Sequence, residues 1–119
     1  MVHGKIDGGL AQNMVEGILR RLCDGCRCHF VLLAHVEREP DPLGGTSKIT
    51  VSTLGAKLAP KIPPMFSDVI MATRLSKDFW WDTENPLADL KTRNLPLASK
   101  IKPDFGQILK KWQGRGGVL

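Results

Sequence analysis

The stretch CHFVLLAHVERE, Cys28 to Glu39, decides how the chain is read. Phe30 to Val36 is a seven-residue run, apolar except for His35. That length suits a buried central strand and is too short to span a membrane. The polar residues arrive at its end: His35, then Glu37, Arg38 and Glu39, then a loop composition with Pro40, Asp41, Pro42, Gly44 and Gly45. In open α/β sheets ligands gather at the carboxyl ends of strands, so chemistry is expected at the His35 junction.

Working outward, Leu10, Met14, Ile18 and Leu22 recur at helical spacing, widened by Val15 and Leu19 and faced by Gln12, Asn13, Glu16, Arg20 and Arg21. The pattern predicts an amphipathic helix ending near Cys23 and stopped by Asp24 and Gly25. Residues 1–9 have no periodicity and read as a flexible lead-in.

Beyond a loop from Glu37 to Lys48, the alternation of Ile49, Val51 and Thr53 predicts a short strand. Pro60, Pro63 and Pro64 forbid a long helix after it. Phe66 to Leu75 reads as a strand with Asp68 at its mouth. Phe79 to Thr83 reads as its hairpin partner across Ser76, Lys77 and Asp78. Pro103 to Gln113 carries Phe105, Ile108, Leu109 and Trp112 at helical spacing, with proline near the first helical position. The glycine-rich residues 114–119 are expected to fray.

The 119 residues carry a net charge of +5, and 42% of them are hydrophobic, the composition of an ordinary globular chain. The charge is uneven. From Lys91 onward there are seven basic residues (Lys91, Arg93, Lys100, Lys102, Lys110, Lys111 and Arg115) and one acid, Asp104, which leaves the preceding residues at −1. Any anionic partner is therefore expected at the C-terminal surface. No run is long and apolar enough to cross a membrane, and the first residues lack the apolar centre of a signal peptide, so a cytoplasmic location is expected.

Cys23, Cys26 and Cys28 with His29 resemble a metal-ligand run. Cys28 and His29 are adjacent in an extended stretch, however, so their side chains point to opposite faces and cannot easily meet one ion. The preferred reading is small buried thiols at a helix-to-strand turn, with no metal. His35 is read as a candidate for ligand contact, against the plainer role of a core histidine. Gly44, Gly45, Thr46, Ser47 and Lys48 offer backbone freedom, hydroxyls and a cation suited to phosphates. Lys91-x-Arg93 places two cations on one side of an extended segment, able to address one polyphosphate, although two surface cations are the simpler reading. Trp80 and Trp81 point to opposite faces, and an exposed one can stack on a base, although core or hairpin packing is the plainer reading. The chain contains no G-x-x-x-x-G-K-[ST], no apolar strand ending in a magnesium-holding acid, no G-x-S-x-G and no H-E-x-x-H.

The order LRRLCDGCRCHFVLLAHVERE, LGGTSKITVSTLGAKLAPKIPPMFSDVIMATR, FWWDTENPLADLKTRNLP and IKPDFGQILKKW resembles the C-terminal half of bacteriophage-type RecA-like, P-loop ATPases. The resemblance runs from about Leu10 to Trp112. It implies an α/β fold, a partial RecA-like sheet with flanking helices whose C-terminal strands are mainly hairpin-like, over residues 10–113. His35 falls where such proteins carry a γ-phosphate sensor. Arg38, Gly44, Gly45, Thr46, Ser47 and Lys48 fall in their DNA-binding loop. Lys91 and Arg93 match a K-x-R finger that reaches a neighbouring subunit's nucleotide.

The family keeps its phosphate loop and magnesium-binding acid in an N-terminal half, which the resemblance places before Met1. The chain alone is therefore not expected to hydrolyse ATP. ATP and magnesium are expected only with a complete core, in a homo-oligomer or a complex, with single-stranded DNA as a partner and a bacterial host's cytoplasm as the setting. The alternatives are a non-enzymatic nucleic-acid binding module and a phage assembly component that keeps the fold without the chemistry.

Overall fold

In the computed structural model, residues 4–39, 47–52 and 58–117 are described. They form a mixed α/β architecture with two separate two-stranded antiparallel sheets. The parallel pairing of a RecA-like sheet does not occur among the described residues. The chain divides into two units, Met1–Phe66 and Ser67–Leu119.

In the first unit, helix α1 runs Gly4–Gly25, so it starts ahead of the Leu10 boundary that periodicity predicts, and residues 4–9 are helical. Its apolar stripe is split. Val15 and Leu19 turn inward, and Leu19 is buried with Leu58 and Ile62. Leu10, Met14, Ile18 and Leu22 are exposed. Polar contacts fix the same contact face: Gln12 Oε1 accepts from the Leu58 amide at 3.1 Å, and Glu16 pairs with Lys61 at 3.3 Å and Arg20 at 3.1 Å. The prolines act as expected, opening two short 3-10 turns at Ala59–Lys61 and Pro63–Met65 in place of a helix.

The Phe30–Val36 run is not a buried central strand. Leu33 is 87% exposed, and Val31, Leu32 and Val36 are exposed with it. Only Val36 is in a strand, β1 (Val36–Glu39), which pairs antiparallel with β2 (Lys48–Val51). A strand buried on both faces needs neighbours on both sides. Here β2 joins only from Val36, with one further bond from the Ser52 amide to the His35 carbonyl at 2.8 Å. Phe30 alone packs inward, its ring centroid 5.8 Å from that of Phe66. Both ends of the expected Glu37–Lys48 loop lie in strands, Glu37–Glu39 in β1 and Lys48 in β2.

In the second unit, β3 (Met71–Leu75) and β4 (Asp78–Asp82) form the hairpin expected from sequence. The strand predicted from Phe66 begins only at Met71, and Val69 instead makes an isolated bridge with Lys91. The connection is the pair Ser76 and Lys77, with Ser76 at φ 59°. A positive φ at the first position of a two-residue turn matches the right-handed twist of the flanking strands. The Arg74 side chain steadies it, donating to the Ser76 carbonyl at 2.9 Å while its guanidinium lies over the Phe79 ring.

Trp81 pairs through its backbone with Ile101 and meets Phe105 edge-on at 5.1 Å between centroids. Phe105 begins α2 (Phe105–Gly114). The N-cap is Asp104, whose carboxylate accepts from the Gly106 amide at 2.8 Å, so Pro103 stands outside the helix. Beyond α2 the expected fraying gives way to a defined cap. The Gly117 amide donates to the Trp112 carbonyl and the Gly116 amide to the Gln113 carbonyl, around Gly116 at φ 90°. That pair of bonds is a Schellman motif.

The interior of this unit is largely polar. Ile101 is its one buried hydrophobic residue among those described, beside Asp82, Thr83 and Asn94. Asp82 and Thr83 each tie down neighbouring backbone. Asp82 Oδ1 accepts from the Glu84 and Asn85 amides, and the Thr83 hydroxyl donates to the Pro96 carbonyl at 2.7 Å while accepting from the Ala98 amide at 3.1 Å. Among the described residues no helix is long and apolar enough to cross a membrane.

Candidate functional site

The best-defined polar constellation is built on Asp68. Its Oδ1 accepts from the Thr92 hydroxyl at 2.5 Å and the Arg93 amide at 3.0 Å. Its Oδ2 accepts from Asn94 Nδ2 at 2.8 Å and the Ser67 hydroxyl at 3.1 Å. The Val69–Lys91 bridge, with backbone bonds of 2.8 and 3.2 Å, aligns the two segments so that the carboxylate meets the loop. Thr92 then accepts from the Asn94 and Leu95 amides, folding the loop back on itself. Arg115 also reaches the loop, donating to the Arg93 carbonyl.

Burial pushes the Asp68 carboxyl upward, but the hydrogen bonds from Thr92, Arg93, Asn94 and Ser67 outweigh it and hold the group below the usual carboxylate value. Asp68 is therefore ionised at neutral pH, and its charge is spent on shaping the backbone. Asn94 is buried, with its Oδ1 lacking a partner among the described residues.

The loop presents Lys91 and Arg93. Both side chains are exposed, and no ion pair joins either to a carboxylate among the described residues. Lys91 sits in the bridge, and the chain bends from Arg93 onward, so the segment is extended only at its start. The expected pair of cations is thus held on a fixed loop, free to meet an anion. The loop thus combines accessible positive charge with a backbone pinned by a half-buried acid.

His35 and the expected DNA-contacting residues belong to the first unit. His35 is exposed and immediately precedes β1, so it lies at the amino end of a strand and not at a carboxyl end. Arg38 is opposite Ile49 in the hairpin register, and Lys48 is the next residue along, so the two cations point to alternate faces. Ser47 is half-buried just before β2. Gly44, Gly45 and Thr46 lie outside the described residues.

The cysteine reading also changes. Cys28 is exposed and Cys23 and Cys26 are half-buried, so the trio is not a set of buried thiols. No group of three potential metal ligands occurs among the described residues. What sequence reasoning missed is the full role of Asp68. The sequence shows the donor side chains Thr92 and Asn94 flanking Arg93, but they lie more than twenty residues from the acid they meet.

Comparisons with protein-family models, with curated proteins and with solved structures give no match.

Proposed function

We propose that this chain is the C-terminal portion of a phage RecA-like ATPase core acting in DNA recombination or annealing, completed by another polypeptide segment. The observation that carries this reading is the exposure of Val31, Leu32 and Leu33 in a stretch that lies outside any strand before His35, continued by exposed Val36 at the start of β1. The exposed stripe of α1, Leu10, Met14, Ile18 and Leu22, adds a second uncovered apolar surface. An extended apolar segment with unpaired backbone takes up a neighbouring strand readily.

In this reading the neighbour brings the phosphate loop and the magnesium-binding acid, and with them ATP and magnesium. Lys91 and Arg93, fixed by Asp68, supply positive charge to the phosphates across a subunit boundary. His35 senses the γ-phosphate, and Arg38 with Gly44, Gly45, Thr46, Ser47 and Lys48 meets single-stranded DNA. The test is ATP turnover in a complex of this chain with a polypeptide carrying G-x-x-x-x-G-K-[ST]. Arg93→Ala is expected to lower turnover roughly 10³-fold while the complex still assembles. Unchanged turnover in an assembled complex would remove the finger role.

A second reading is a nucleotide-independent nucleic-acid module. It is favoured by Lys100, Lys102, Lys110, Lys111 and Arg115, all exposed, beside an Asp104 whose carboxylate is occupied by the α2 cap. It predicts single-stranded DNA binding without ATP, with log affinity falling against log salt by about 0.7 per phosphate contact. Binding that ignores salt would rule it out.

A further inference from the structure

Cys26 and Cys28 flank Arg27 just beyond α1. The Cys26 amide continues the helical pattern by donating to the Leu22 carbonyl at 3.1 Å, while Arg27 and Cys28 form a bend. Their Sγ atoms lie 2.8 Å apart, in direct contact, and either thiol can be the donor. Cys28 is exposed and Cys26 half-buried.

The two sulfurs are chemically unlike. The hydrogen bond from Cys28 holds the Cys26 thiol below its ordinary value, and the same contact pushes Cys28 up. Burial, then the nearby Asp24 charge, pushes Cys23 up. Cys26 is therefore the sulfur that ionises first, with a protonated partner beside it.

We propose that Cys26 and Cys28 form a reversible dithiol–disulfide pair that exchanges with low-molecular-weight disulfides of the glutathione class. The Cys26 thiolate attacks one sulfur of glutathione disulfide, forming a mixed disulfide and releasing one glutathione thiolate, which takes the Cys28 proton. The Cys28 thiolate then attacks the Cys26 sulfur, closing the Cys26–Cys28 bond and releasing the second glutathione as thiolate. Two thiols are oxidised, one disulfide is reduced, and two electrons pass to the oxidant. Rare disulfides of reducing compartments are of this transient, redox-responsive kind. The bond would join the end of α1 to the start of the exposed apolar run.

The test uses the full chain, equilibrated with mixtures of reduced and oxidised glutathione, blocked with N-ethylmaleimide and digested with trypsin. Cleavage after Arg27 separates LCDGCR from CHFVLLAHVER. The expected product is these two peptides joined by a disulfide within one protein molecule, released by dithiothreitol. The linkage persists in Cys23→Ser and disappears in Cys26→Ser and Cys28→Ser. Loss of the linkage in Cys23→Ser overturns the proposal. So does a Cys23–Cys26 bond inside LCDGCR, linkage only between molecules, or persistent free thiols under excess glutathione disulfide.

Discussion

Asp68 and Thr92, 24 residues apart, are joined by a 2.5 Å hydrogen bond from hydroxyl to carboxylate. That contact, with the bonds from the Arg93 amide and Asn94, makes the placement of two exposed cations depend on a residue of opposite charge that does not itself pair with them. The acid is consumed by backbone and neutral side-chain donors, which leaves Lys91 and Arg93 unneutralised.

Replacing the acid tests this directly. Asp68→Asn keeps the volume but puts an amide where donors converge, so at least one of the four contacts is lost or reversed. A cost of about 1–3 kcal/mol is expected, the range for a part-buried charged acceptor, read from urea denaturation. A stability change within a few tenths of a kcal/mol would mean that the carboxylate does not organise the loop.

The same group sets a pH dependence. Its folded-state pKa lies below the ordinary carboxylate value, so the unfolded chain binds the proton more readily. The stabilisation is therefore complete above the unfolded value and lost as pH falls through the folded one. Urea midpoints measured from about pH 6 down to about pH 3 should decline more steeply in the wild-type chain than in Asp68→Asn. Parallel curves would assign acid sensitivity to other groups.

The glycines after α2 give a separate test. Gly116 holds φ 90°, and a Cβ on Gly117 would run into the indole of Trp112. Gly116→Ala should cost about 1 kcal/mol through the left-handed backbone. Gly117→Ala should cost more, because a ring must move, and Trp112 fluorescence should shift with it. Equal, negligible effects would show that the chain frays here.

Leu33 distinguishes folding from association. At 87% exposed it contributes little to the chain's own packing, so Leu33→Lys should change monomer stability by no more than about 0.5 kcal/mol. In sedimentation experiments the same change should weaken self-association or complex formation. A large loss of monomer stability would place Leu33 in a core.

The sequence made some of these features legible and others not. The β3–β4 hairpin was readable because its apolar residues flank a polar two-residue turn, and α1 and α2 because their spacing is helical. The Phe30–Val36 run misled because composition reports what a segment would bury, whereas burial depends on partners that a periodic pattern cannot count. At Arg115-Gly116-Gly117 the stop signal was present, and reading glycine only as freedom missed that Gly116 is needed at positive φ. The Cys26–Cys28 contact was obscured by attention to Cys28 and His29 and by reading the segment as strand, whereas Arg27 and Cys28 form a bend that brings the two sulfurs together. Asp68 was placed at the start of a strand; its partners lay too far along the chain for local pattern to reveal.

The polar interior formed by Asp82, Thr83 and Asn94 has a calorimetric consequence. Exposing apolar surface raises the heat capacity on unfolding, and exposing polar surface lowers it. The contribution from Ser67–Leu119 should therefore fall below the usual ~12–15 cal/mol/K per residue. A smaller heat-capacity increment flattens the curve of stability against temperature. This part of the chain then owes its persistence to bond enthalpy over a wide thermal range, and loses little of it on cooling.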